Sequence, residues 1–111
     1  MKRLHIHVGV ENIEEATRFY SALFGAQPVK TKADYAKWLL EDPRVNFAVS
    51  TRANKKGVDH LGIQVDDNSE LDELRGRIQN AGLTTFEEGE TVCCYAKSDK
   101  TRVQDPAGVA W

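Results

Sequence analysis

Val58-Asp59-His60-Leu61-Gly62-Ile63-Gln64-Val65 decides the fold, because Arg3-Leu4-His5-Ile6-His7-Val8-Gly9-Val10 is built the same way. Successive side chains of a strand point to opposite faces, so each stretch puts apolar residues on one side (Leu4, Ile6, Val8, Val10; Leu61, Ile63, Val65). The other side carries polar or small ones (His5, His7, Gly9; His60, Gly62, Gln64). Two such strands, each opening with a histidine on the face turned from the core, predict a duplicated fold with a site between the copies.

The segments downstream of the two strands repeat as well. After the first, Asn12 reads as a helix N-cap with Glu15 behind it, Ile13, Ala16, Tyr20 and Leu23 share one face, Gly25 ends the helix, and Pro28 prevents its continuation. After the second, Ser69 reads as the cap with Asp72 behind it, Leu71, Leu74, Ile78 and Ala81 share one face, and Gly82 ends the helix. Strands are expected at 29–32, 35–40 and 45–50 in the first half, with a turn at Asp42-Pro43, and at 84–87, 91–96 and 101–104 in the second, followed by Asp105-Pro106. Residues 51–57 (TRANKKG) are polar, basic and aperiodic, and read as a linker. The expectation is a single α+β domain over 1–111, made of a βαβββ module at 1–50 and a second at 58–111. The chain stops at Trp111, partway into the equivalent of the strand that follows Asp42-Pro43, so the last strand is expected to be truncated.

Composition bounds the function. At 111 residues with 41% hydrophobic content the chain can build one core. A net charge of -2 with interspersed signs argues against nucleic acid as the partner. No apolar run approaches the roughly 18 residues of a membrane span and no leader pattern opens the chain, so the expected compartment is the cytoplasm. The only two cysteines, Cys93 and Cys94, are neighbours, which excludes a disulfide framework and leaves thiol chemistry open.

His5 and His60 begin equivalent strands, so pairing of the modules about a pseudo-twofold axis turns both imidazoles into one cup. Two neutral imidazoles with one carboxylate make the facial triad of non-haem Fe(II) centres, and the same pair serves zinc, nickel or manganese. A strand histidine read alone is more often a hydrogen-bonded structural residue, and it is the equivalent placement of the two that favours ligation. His7 shares a face with His5, and is expected to be solvent-facing or structural rather than a ligand or a ligand's support. Cys93 and Cys94 are either a clamp for one thiophilic atom or two small buried hydrophobes. Adjacent strand side chains diverge, so a clamp needs a bulge or loop, which Gly89 and Glu87-Glu88 favour. There is no Gly-rich phosphate loop, nucleophile elbow, HExxH or CxxC.

The opening HIHVGVENIEEATRFYSALFG and the later DHLGIQV resemble the two module starts of the vicinal oxygen chelate superfamily, which includes glyoxalases, bleomycin-resistance proteins and extradiol dioxygenases. ETVCCYAKSDKTRVQDPAG and ADYAKWLLEDPRVNFAVS resemble one branch of it, the carbon-arsenic lyases and cadmium-induced proteins. The resemblance implies a cupped mixed sheet and Fe(II)- and dioxygen-dependent cleavage of the carbon-arsenic bond of trivalent organoarsenicals. It implies His5 and His60 as metal ligands and Cys93 and Cys94 as the arsenic-binding pair. The third ligand, by resemblance a glutamate just beyond a tryptophan like Trp111, would follow the end of this sequence. The implied partner is a trivalent arsenical or a soft metal ion. Modules that pair between chains instead of within one would give a homodimer. Two other functions fit: sequestration of cadmium or arsenite without turnover, and a different metal-dependent glyoxalase-type lyase.

Overall fold

The computed structural model describes residues 1–93 and 96–111, with side chains described outside 86–99. In chain order the elements are β1 (Arg3–Gly9), α1 (Ile13–Phe24), β2 (Lys30–Lys32), β3 (Tyr35–Glu41), β4 (Arg44–Ser50), β5 (Gly57–Gln64), α2 (Asn68–Asn80), β6 (Phe86–Cys93) and β7 (Ala96–Arg102). They fall into two compact units, Arg3–Gln64 and the remainder, Met1–Lys2 with Val65–Trp111.

In the first unit a five-stranded mixed sheet runs in the order β2-β3-β4-β1-β5. β1 is parallel to β4 and antiparallel to β5. Asn12 starts α1 as expected, its side chain accepting the Glu15 backbone N–H at 2.8 Å, and Gly25 ends it in the left-handed region at φ 65°. The helix lays Ile13 and Ala16 against Ala36, Trp38, Val45, Phe47 and Val49, with Ile6, Val8, Val10, Tyr20, Phe24 and Leu40 around them. Rings of Tyr20, Phe24, Trp38 and Phe47 meet at centroid separations of 4.6 to 6.1 Å. Trp38 is fully buried and donates its indole N–H to the Ala26 carbonyl at 3.0 Å.

Four residues depart from the expected core. Leu23 is exposed and Phe24 takes the inward place, because a helix of 3.6 residues per turn brings the residue four beyond Tyr20 back to its face. Leu4 and Ile63, register partners at one end of the β1–β5 pair, are also exposed, since α1 packs over β3 and β4.

The second unit departs further. α2 is capped by Asp67, not Ser69: Asp67 Oδ1 accepts the Glu70 N–H at 2.9 Å, and Glu70 Oε1 accepts the Asp66 N–H at 2.7 Å, a reciprocal arrangement two residues earlier than expected. The helix closes at Ala81, one residue before Gly82 at φ 74°. The three strands expected at 84–87, 91–96 and 101–104 are two, β6 and β7, paired antiparallel with Cys93 opposite Ala96. Gly89 does not break the strand, because the register shifts between Glu87 and Gly89 and the extra residue is absorbed as a bulge. Beyond β7 the Asp105-Pro106 turn forms, with Asp105 Oδ1 accepting the Ala107 and Val109 N–H groups, each at 2.9 Å, and Oδ2 accepting the Trp111 indole N–H at 2.9 Å. No helix among the described residues is long and apolar enough to cross a membrane.

Candidate metal centre

The face of the sheet away from α1 carries the histidines. Alternation along β1 puts His5 and His7 there, and antiparallel pairing sets His60 of β5 directly opposite His7 and Gly62 opposite His5. Ring centroids lie 5.3 Å apart for His5 and His60, 4.9 Å for His7 and His60, and 6.4 Å for His5 and His7. One ring nitrogen from each of the three lies within 4.8 Å of the others. Among the described residues this is the single group of three histidine, cysteine or acidic side chains so placed.

Each ring is anchored through one of its nitrogens. His5 Nδ1 donates to the Asn46 carbonyl at 3.1 Å, so in the neutral ring Nε2 carries the lone pair. His60 Nδ1 donates to Asp59 Oδ2 at 2.8 Å, with the same result. His7 Nε2 meets the Ser50 hydroxyl at 2.9 Å, and both residues are buried. Such anchoring by a carbonyl, a carboxylate or a hydroxyl is the arrangement that orients ligating imidazoles and fixes their tautomers.

Asp59 reaches His60 because β5 is irregular at this point. His7 pairs with His60 while Val8 pairs with Val58, so Asp59 is the extra residue of a bulge and its side chain is turned toward its neighbour. Burial pushes the Asp59 carboxyl up, but the hydrogen bond from His60 and the nearby His60 and His7 imidazoles outweigh it and leave the group below its ordinary range. Asn46 is positioned by its own donation to Gln64 Oε1 at 2.6 Å. Neutral imidazole donors suit Fe(II), zinc or nickel, so the residues present fit a transition-metal ion.

The structure brings His5 and His60 together. Of the roles expected for His7 it removes the solvent-facing one, since His7 is only 3% exposed and sits within the histidine group. The sequence signal was the two-residue spacing of His5 and His7 together with the count: the chain has three histidines, and all of them are here. Of the thiol pair, Cys93 ends β6, while its side chain and all of Cys94 lie outside the described residues.

Known proteins share this fold and sequence pattern. Residues 2–111 match the family model described as Glyoxalase/Bleomycin resistance protein/Dioxygenase superfamily. A trivalent organoarsenical cleaving enzyme of Bacillus sp. strain MD1 is 45% identical over all of this chain and 71% of its own length. A cadmium-induced protein of Mycobacterium bovis is 35% identical over all of this chain and 74% of its own. Among solved structures, methylmalonyl-CoA epimerase of Streptomyces coelicolor superposes with a TM-score of 0.62 at 19% identity, covering 96% of this chain and 90% of that one, a likeness of fold alone.

Proposed function

This chain belongs to the glyoxalase, bleomycin resistance protein and dioxygenase superfamily, and from that premise we propose that it cleaves the carbon-arsenic bond of trivalent organoarsenicals in the cytoplasm with Fe(II) and dioxygen. The observation that carries the reading is its likeness, across its whole length, to an enzyme named for that cleavage. His5 and His60 hold the metal, each through Nε2, with Asn46 and Asp59 fixing the ring orientations. Bound Fe(II) supplies the redox chemistry that dioxygen requires.

Cys93 and Cys94 hold the arsenical. Two thiols and an organoarsenous acid form two sulfur-arsenic bonds and release two waters, which fixes the arsenic atom and leaves its carbon substituent as the group to be removed. Thiolate character governs the rate of that exchange, and reduced thiols persist in the cytoplasm.

The test is arsenite release and oxygen uptake by the chain loaded anaerobically with Fe(II) and given a trivalent aryl or methyl arsenical. Release is expected for the parent chain and lost in Cys93→Ala with Cys94→Ala; undiminished release by that double variant removes the thiol role. The 35% identity to a cadmium-induced protein favours a second reading, sequestration of Cd(II) or arsenite without turnover. Tight Cd(II) binding with no oxygen uptake on any arsenical selects it.

A further inference from the structure

We infer that His7 is a third protein donor to the metal, so that this face of the sheet holds an ion through three neutral imidazoles and not two. The inference rests on the reading of His5 and His60 as ligands and adds a residue that the module repeat does not single out.

Three observations support it. The first is placement: His7 shares a face with His5 on β1 and stands opposite His60 on β5, so the backbone pairing itself closes the three rings into a triangle. The second is anchoring. Ser50 is 1% exposed and its hydroxyl meets His7 Nε2 at 2.9 Å; with Ser50 accepting, Nε2 carries the proton and Nδ1 the lone pair, as Nε2 does in His5 and His60. The third is burial. His7 is 3% exposed and crowded by two other imidazoles at centroid separations of 4.9 and 6.4 Å. A cation bound to three lone pairs turns that crowding into attraction. Neutral nitrogen donors select Fe(II), Co(II), Ni(II) or Zn(II) over Mg(II) and Ca(II), which prefer oxygen.

A His7 that merely braced Ser50 would leave the metal untouched, which makes the two roles separable. The probe is Co(II), titrated into the full chain and followed by visible absorption and by proton NMR, where each ligating imidazole contributes one exchangeable, strongly shifted N–H signal. Three such signals are expected; two would overturn the inference without any variant being made. His7→Gln is expected to weaken Co(II) binding at least about tenfold and to remove one signal, Ser50→Ala to weaken it less, and Ser50→Thr to restore it. Affinity within about twofold of the parent in His7→Gln, with the absorption bands unmoved, also overturns it. Failure of this inference is distinguishable from failure of the proposed function. A parent chain that takes up no Co(II) removes both, two signals remove His7 alone, and three signals without arsenite release remove the activity and leave this centre standing.

Discussion

The two helices carry the same spacing of apolar residues and do unequal work. In the first unit α1 sets Ile13, Ala16, Tyr20 and Phe24 against Trp38 and Phe47, an aromatic core with almost no exposed surface at its centre. In the second unit α2 buries only Leu71 among the described residues, while Leu74 and Ile78 stay half-buried between Glu70, Asp72, Glu73, Arg75 and Arg77. Periodicity tells which side of a helix turns inward. The stabilisation gained depends on the apolar area that side removes from water, which here is carried by rings in one unit and by single aliphatic chains in the other.

The strongest way to break this comparison is to truncate one core residue in each unit. Trp38→Ala should lower the free energy of unfolding by about 3–5 kcal/mol, and Leu71→Ala by about 2 kcal/mol, read by chemical denaturation. Equal losses would mean that the second unit is as tightly packed as the first. Metal affinity gives the next largest effect. Asp59→Asn should weaken Co(II) binding by about 10–100-fold by loosening His60, whereas Asp67→Ala, at the helix cap of the other unit, should leave it unchanged. Loss of affinity in both variants would tie the centre to the second unit.

Smaller effects sharpen the contrast. Asn12→Ala and Asp67→Ala each remove one cap, at about 1 kcal/mol. In the first unit the loss should appear in global unfolding, and in the second as roughly fivefold faster amide exchange confined to α2. Acid gives the smallest effect. Hydrogen bonding by Arg3 lowers the Glu41 carboxyl from its ordinary value, and hydrogen bonding by the Trp111 indole does the same for Asp105. A carboxyl depressed in the fold contributes stability above its unfolded pKa of about 4 and loses it as pH falls through the folded value. Both units should therefore weaken on the acid side, and Asp105→Asn should remove the acid-induced shift of the Trp111 indole N–H resonance without altering that of the first unit.

Much of the first unit was legible because its signals are local. Strict alternation in β1, the Asn12 cap and Gly25 each act within a few residues, and they place His5 and His60 on the correct face. The errors arose where the chain offered several equivalent choices. Asp66-Asp67-Asn68-Ser69 supplies four consecutive residues that can cap a helix, and only the bonds from the Glu70 N–H to Asp67 and from the Asp66 N–H to Glu70 select one. Gly89 signals a bulge or a loop, and only the pairing of β6 with β7 decides for a bulge within one strand. His7 could not be assigned because its surroundings, Ser50 and His60, come from strands 43 and 53 residues further along the chain.

Gly9 has a consequence for how the histidine face is roofed. A methyl group built on this residue would lie 1.9 Å from the Lys55 carbonyl oxygen and 2.9 Å from the Ala53 side chain, so residues 53–55 rest on bare backbone two positions beyond His7. The segment that reads as a slack connector is thus seated like a lid on a hinge pin, and the smallest side chain there would act as a wedge beneath it. A residue that contributes no atoms to the chemistry thus fixes where the 53–55 backbone crosses β1.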